Sequence, residues 1–191
     1  MEDGPILITG ASGRIGRTLA QHWQARRLVL LDRPEGDLIR DDNAWTRRFA
    51  GVGTVVHLAA DPDPASPFDS AAAGNIQATL NVLRACSDHD VGRLVYASSV
   101  WADYRAWRLA PKMTWYAASK IAGEALVQAW ADERGRPAVC LRFGFFDLGA
   151  ADVPPEADTH RLNEAALAYH LDEALAWTEP GCTVRYAIGK L

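Results

Sequence analysis

Short, uninterrupted apolar runs, each followed by a longer stretch of helical character, constrain this chain more than any other feature. "ILIT" (6–9) leads into "GRIGRTLAQHWQAR", and "LVLL" (28–31), "TVVHLAA" (54–60), "RLVYASS" (93–99), "AVCLRFG" (138–144) and "CTVRYAIG" (182–189) follow in turn. Val, Ile and Leu runs without in/out alternation belong to strands covered on both faces. Strands separated by helices need right-handed crossovers, so the pattern predicts a parallel, doubly wound α/β sheet. Helices are expected over 43–50, 68–89, 115–134 and 172–179. The segment 147–160, "DLGAADVPPEADTH", reads as a loop or lid, because Pro, Asp and Ala dominate it.

A chain of 191 residues is expected to form one domain with a substantial core. A hydrophobic content of 49% with 23% charged residues is that of an ordinary soluble protein, and a net charge of −4 gives no electrostatic reason to expect nucleic acid. No run is long and apolar enough to span a bilayer, and the acidic start "MEDGPILITG" lacks a leader's basic region. A cytoplasmic protein with a small-molecule substrate is expected, with neither nucleic acid nor membrane as a partner. Cys86, Cys140 and Cys182 are odd in number, far apart and without metal-ligand spacing, so reduced, buried thiols and no metal are expected. The seven tryptophans read as core or pocket wall.

The junction between the first strand and first helix, "LITGASGRIG", sets Gly10, Gly13 and Gly16 at the spacing G-x-x-G-x-x-G. Glycines there let the backbone approach a pyrophosphate at the helix N-terminus, with Ser12, Arg14 and Ile15 on the same turn. Asp32 closes the second strand, where a carboxylate accepts hydrogen bonds from an adenosine ribose. A 2′-phosphate would face that carboxylate, so Asp32 points to NAD rather than NADP, with the adjacent Arg33 acting in the opposite sense. Asp37 and Leu38, in "GDLIRDD", are candidate adenine contacts. In "TWYAASK", Tyr116 and Lys120 share a helical face. That spacing alone fits either an ordinary helical strip or a proton-transfer pair.

Taken in order, TGASGRIG, VVHLAA, YASS and YAASK resemble the extended short-chain dehydrogenases/reductases, and more narrowly the NAD-dependent epimerase/dehydratase family, from about residue 5 to 145. Within it, "PFDSAAAGNI", "YAASKIAGEAL" and "CLRFG" are most similar to the uronate dehydrogenases. The resemblance implies a Rossmann fold, with residues 1–191 as a single NAD-binding domain in which 143–181 contribute a small substrate-binding region. It implies that Tyr116 exchanges a proton with the substrate oxygen as hydride passes to or from the nicotinamide. Lys120 would lower the phenol's pKa and hold the nicotinamide ribose, and Ser99 would hydrogen-bond the reacting oxygen. Leu58, Ala59, Ala60 and Asn75 would lie beside the cofactor, Asn75 also bracing the sheet; His57 would be a packed strand residue without a catalytic role. Ser98, Trp101, Phe145 and Arg161 would face the substrate. Arg161 aligns with an arginine that clamps a substrate carboxylate, or is a solvated helix arginine. His170 and Asp172, in "YHLDEA", match an element that opens a late helix, with Asp172 as an N-cap. The resemblance also implies a homodimer formed through the helices at 68–89 and 115–134.

Three departures narrow the reaction. Val100 and Trp101 follow Ser99 where the family's dehydratases carry an acidic pair, so an acid for dehydration is missing. Only 49 residues follow Arg142, little material to grip a sugar nucleotide. Phe145 and Phe146 stand where the uronate dehydrogenases have a small polar residue, which makes the pocket aromatic and narrow. The expected activity is an NAD-dependent oxidoreductase acting on a secondary or hemiacetal hydroxyl of a small polar substrate, a uronate or related sugar. The alternatives are an NAD-retaining sugar epimerase and a non-catalytic dinucleotide-binding sensor or scaffold.

Overall fold

In the computed structural model, which describes residues 4–40, 43–146 and 159–189, the apolar runs become strands of one parallel sheet. These are β1 (Ile6–Thr9), β2 (Leu28–Leu31), β3 (Thr54–His57), β4 (Arg93–Ser99), β5 (Pro137–Phe143) and, late in the chain, β8 (Gly181–Ala187). They pair in the order β2-β1-β3-β4-β5-β8, every pair parallel. Two further short strands, β6 (Phe145–Phe146) and β7 (Arg161–Leu162), pair beside it.

Successive residues of the central strands bury into opposite layers. Leu7, Val55 and Leu94 join one core with Trp45, Phe49, Val82 and Trp130. Ile8, Val56 and Val95 join the other with Leu19, Leu167 and Leu171. This is why the strands read as unbroken apolar runs: helices cover both faces. The first layer is α2 (Asn43–Thr46), α4 (Ala78–Asp88) and α5 (Trp115–Arg134), and the second is α1 (Arg14–His22) and α6 (Glu164–Ala176). Thr114 caps α5 by accepting the Ala117 amide at 3.1 Å, and Gly135 ends it in the left-handed region at φ 58°.

Four boundaries differ from the sequence reading. The strand expected over 54–60 ends at His57, because the chain then turns across the glycine loop. The helix expected over 68–89 is three segments: α3 (Phe68–Ala71), a π-helix at Ala72–Gln77, and α4. The stretch expected as a helix over 43–50 is one turn of α2 followed by a 3-10 turn at Arg47–Phe49. The late helix begins eight residues before 172, capped by Asn163, whose side chain accepts the Ala166 amide at 2.8 Å. Asp172 is therefore not an N-cap. From mid-helix it ties α6 to α1, accepting from the Trp23 indole at 2.8 Å and meeting His22 at 3.0 Å. Of the segment 147–160, residues 147–158 lie outside the described residues.

Candidate active site

The sheet order reverses at β1, with β2 to one side and β3 to the other. Ligands of open parallel sheets bind outside the strand carboxyl ends at such a switch point. A cleft of about 1150 Å³ opens there, lined from the glycine turn through Asp32 to Ser99, Tyr116 and Phe145.

The glycine turn is closed too tightly for side chains. Gly10 has φ +68°, and a Cβ on it would lie 2.7 Å from the Ala59 amide nitrogen; a Cβ on Gly16 would lie 2.5 Å from the Gly10 carbonyl oxygen. Gly13 caps α1 without a side-chain cap bond, and no acidic residue sits in the first turn. The helix end therefore presents the positive end of its dipole to an anion. Asp32 stands beside the turn. Its Oδ2 accepts from the Ser12 amide at 2.7 Å and the Ser12 hydroxyl at 2.6 Å, and its Oδ1 from the Arg33 amide at 2.8 Å. Partial burial opposes its charge, but these bonds outweigh it and hold the carboxyl below its ordinary pKa. Asp37 and Leu38 line the same end, and Leu58, Ala59 and Ala60 the opposite wall. The backbone cradle and the ribose-accepting carboxylate fit a dinucleotide.

At the other end, β4 delivers Ser99 and the first turns of α5 deliver Tyr116 and Lys120, all buried. The Ser99 hydroxyl accepts the Trp101 amide at 3.3 Å and stands beside the Tyr116 phenol. Lys120 donates to the Ala97 carbonyl at 2.9 Å, with its Nζ 5.7 Å from the Tyr116 ring centroid. The expected lowering of the phenol's pKa is not what these surroundings produce. Burial pushes Tyr116 up, the neighbouring Ser99 hydroxyl opposes this, and the Asp61 carboxylate adds to the rise. Lys120 is itself pushed down to about 8 by burial, with the Asp61 and Glu124 carboxylates pulling it back. Desolvation acts on both groups of the pair and dominates over their spacing.

Trp101, Phe145, Phe146 and Leu109 form the aromatic and aliphatic wall near Tyr116. Three expected contacts need correction. Ser98 lines the cleft, but its hydroxyl proton is committed to Glu124 at 2.5 Å, which leaves it an acceptor only. Asn75 is 1% exposed and does not line the cleft. Its Oδ1 accepts the Asp61 amide at 2.7 Å and its Nδ2 donates to Ser119 at 2.9 Å, so it braces rather than touches a ligand. Arg161 sits on β7 opposite Phe145 and is not among the residues lining the cleft. His57 is packed as expected, bonded to Thr9 at 2.7 Å and Thr79 at 3.2 Å, and burial pushes its pKa down to about 3.

Sequence reasoning missed the polar chain behind the site. Arg142 grips Glu124 with two bonds of 2.8 Å and donates to the Tyr186 hydroxyl at 3.0 Å, which donates to Asp103 at 2.6 Å. It links α5, β5, β8 and the turn at Val100–Asp103 that carries Trp101. Glu124 lies four residues beyond Lys120, a visible signal; its partners become neighbours only through strand order. The same holds for Cys140 and Cys182, distant in sequence, whose sulfurs lie 3.5 Å apart across β5 and β8. Among the described residues no His, Cys, Asp and Glu cluster is arranged to hold a metal, and no helix is long and apolar enough to cross a membrane.

A model of the NAD dependent epimerase/dehydratase family matches residues 6–185. The chain belongs to that family. It is an enzyme, and NAD is the cofactor of the NAD-dependent epimerase/dehydratase family. L-arabinose 1-dehydrogenase (NAD(P)(+)) of Haloferax volcanii is 32% identical over 204 residues, covering 92% of this chain and 78% of that protein. Uronate dehydrogenase of Agrobacterium fabrum is 28% identical over 179 residues, covering 82% of this chain and 64% of that protein. The crystal structure of uronate dehydrogenase from Agrobacterium tumefaciens has the same fold, with a TM-score of 0.79 at 23% identity over 97% of this chain and 76% of that one.

Proposed function

We propose that this family member is an NAD-dependent dehydrogenase that oxidises a secondary or hemiacetal hydroxyl of a small sugar. The observation that carries the reading is the convergence of buried Ser99, Tyr116 and Lys120 at one end of the cleft whose other end is the glycine turn and Asp32. Bound NAD supplies a hydride acceptor. Tyr116, as phenolate, takes the proton from the substrate hydroxyl, and Ser99 orients that oxygen. Lys120 would hold the nicotinamide ribose, and its charge would support the phenolate as it forms. The wall of Trp101, Leu109 and Phe145 excludes water from the reacting centre and offers apolar faces to a sugar ring. Similarity to sugar dehydrogenases supports this choice of substrate. A screen of aldoses, uronates and hydroxy acids with NAD and NADP, following the absorbance of reduced nicotinamide, tests it. The expected result is reduction with at least one sugar; reduction by hydroxy acids alone, or by nothing in the panel, contradicts the reading.

Residues 143–181 serve this reading as the small substrate-binding part of a single NAD-binding unit. Asp32 sets the cofactor choice: its carboxylate, kept ionised by Ser12 and Arg33, repels a 2′-phosphate. Isothermal titration is expected to give tighter binding of NAD than of NADP, and Asp32→Ser should narrow the difference by about tenfold, equivalent to about 1.4 kcal/mol. Equal affinities in the unaltered protein would show that Arg33 outweighs the carboxylate.

The same helices that frame the site are proposed to pair two copies of the chain. Phe68 and Trp115 are 55% and 56% exposed and meet edge-to-face at 5.0 Å, and Leu80 on α4 is 41% exposed. The outer face of α5 adds exposed Ala125 and Ala129, small enough for close helix approach. Light scattering at micromolar concentration is expected to report a dimer, and Trp115→Glu a monomer. A monomer in both would refute the pairing.

A further inference from the structure

The cleft wall holds one charged group to which neither the glycine turn nor the Ser99, Tyr116 and Lys120 set gives a role. Asp61 follows Ala60 on the loop after β3 and lines the cleft with Tyr116 and Lys120. Its position is built from several directions. The backbone is fixed on both sides of the residue by Asn75, whose Oδ1 accepts the Asp61 amide at 2.7 Å and whose Nδ2 donates to the Asp61 carbonyl at 3.2 Å. The carboxylate accepts from the Ser70 hydroxyl and from the Asp63 amide at 3.1 Å, with Ser66 close by. Gly74, within the π-helix, leaves the space Asp61 occupies: a Cβ there would lie 3.2 Å from the Asp61 Cβ. π-turns of this kind often mark functional sites. Burial opposes the charge, but the Ser70 and Asp63 bonds, the nearby Ser66 and the Lys120 ammonium outweigh it, so the group stays ionised.

Among the described residues that line the cleft, the cations are Arg14, Arg33 and Lys120. The first two stand at the glycine turn and the β2 end, and the Lys120 ammonium is bonded to the Ala97 carbonyl and offsets the Asp61 charge. Arg142 is held by Glu124 behind the wall. With Lys120 already engaged, a substrate carboxylate entering here would meet a second carboxylate, whereas a neutral sugar would find an acceptor for a hydroxyl.

We propose that Asp61 is a specificity-determining residue that selects neutral sugars over uronates, accepting a substrate hydroxyl and repelling a substrate carboxylate. The inference rests on the sugar-dehydrogenase reading for its substrate but not for its test. D-galactose and D-galacturonate differ only in a hydroxymethyl against a carboxylate, and their binding to the NADH complex, in which neither can be oxidised, can be titrated calorimetrically. The unaltered protein is expected to bind D-galactose at least tenfold more tightly. Asp61→Asn should narrow that ratio about tenfold while leaving NAD affinity within about twofold, and Asp61→Ser, which removes the carboxylate with a smaller side chain, should do the same. Preference for D-galacturonate, a ratio unmoved in both variants, binding of neither sugar, or a loss of NAD affinity in place of a change in the ratio would overturn the proposal. If the ratio moves as expected but neither sugar reduces NAD, the dehydrogenase reading fails and the assignment of Asp61 stands. If both are oxidised and the ratio does not move, only Asp61 loses its role.

Discussion

Tyr116→Phe is expected to lower turnover by a factor of about a hundred to ten thousand, the range for loss of a positioned acid or base, while NAD affinity stays nearly unchanged. The phenol oxygen is the only atom removed. It faces Ser99 and the cleft, whereas the ring remains to pack beside Lys120. The pH profile gives a second signature. Because burial raises the phenol's pKa, the oxidation rate of the unaltered enzyme should climb with pH as the phenolate base forms, and Tyr116→Phe should lose that climb. Lys120→Ala should differ by damaging both turnover and NAD binding. Turnover of Tyr116→Phe near that of the unaltered enzyme would reduce the pair to a helical face and put the base of the reaction elsewhere.

Gly16→Ala is expected to reduce NAD affinity about a hundredfold, equivalent to about 2.7 kcal/mol. The added Cβ would stand 2.5 Å from the Gly10 oxygen and 2.6 Å from the Ala11 oxygen, both backbone atoms that cannot rotate away. The turn has to open, moving the helix end from the place where the pyrophosphate would sit. Overpacking of this kind costs about 1–3 kcal/mol in stability, which for a chain of this size lowers the melting temperature by roughly 2–4 °C per kcal/mol. Gly51→Ala serves as the control for NAD binding: an alanine at its φ of +73° also strains the backbone, but its Cβ meets nothing within 4 Å and its loop lies outside the cleft. Thermal melts are expected to fall in both variants and NAD affinity only in Gly16→Ala. Unchanged NAD binding in Gly16→Ala would mean that the turn is not the pyrophosphate site.

Features legible in the sequence were those whose chemistry demands a residue type at one place on one element. Gly10 and Gly16 are required by contacts shorter than any side chain permits. Asp32 is set by the end of β2, and Ser99, Tyr116 and Lys120 by the end of β4 and the start of α5. The parallel sheet was legible because both faces of each strand are buried, which removes alternation from the pattern. What the sequence hid depends on contacts between distant segments. Arg142 reaches Glu124 only because β5 lies next to β4 beneath α5, and Glu124 also takes the Ser98 hydroxyl proton. Asp61 acquires a direction only from the π-turn that brings Asn75 against its backbone. The start of α6 was misplaced because Asp172 has the composition of a cap, whereas Asn163 holds the cap geometry. Desolvation of Tyr116 and Lys120 has no sequence signature, and it reverses the direction in which the family resemblance implied the phenol would shift.

Hydride transfer from sugar to NAD is the central claim, and isotope tracing tests it most directly. A sugar that the screen shows to reduce NAD is supplied with every carbon-bound hydrogen replaced by deuterium, and the nicotinamide product is weighed by mass spectrometry. The account predicts reduced nicotinamide carrying one deuterium, formed in equal amount to the oxidised sugar and absent with Tyr116→Phe. Reduced nicotinamide without deuterium, or an epimerised sugar that keeps all its deuterium while no reduced nicotinamide accumulates, would contradict it.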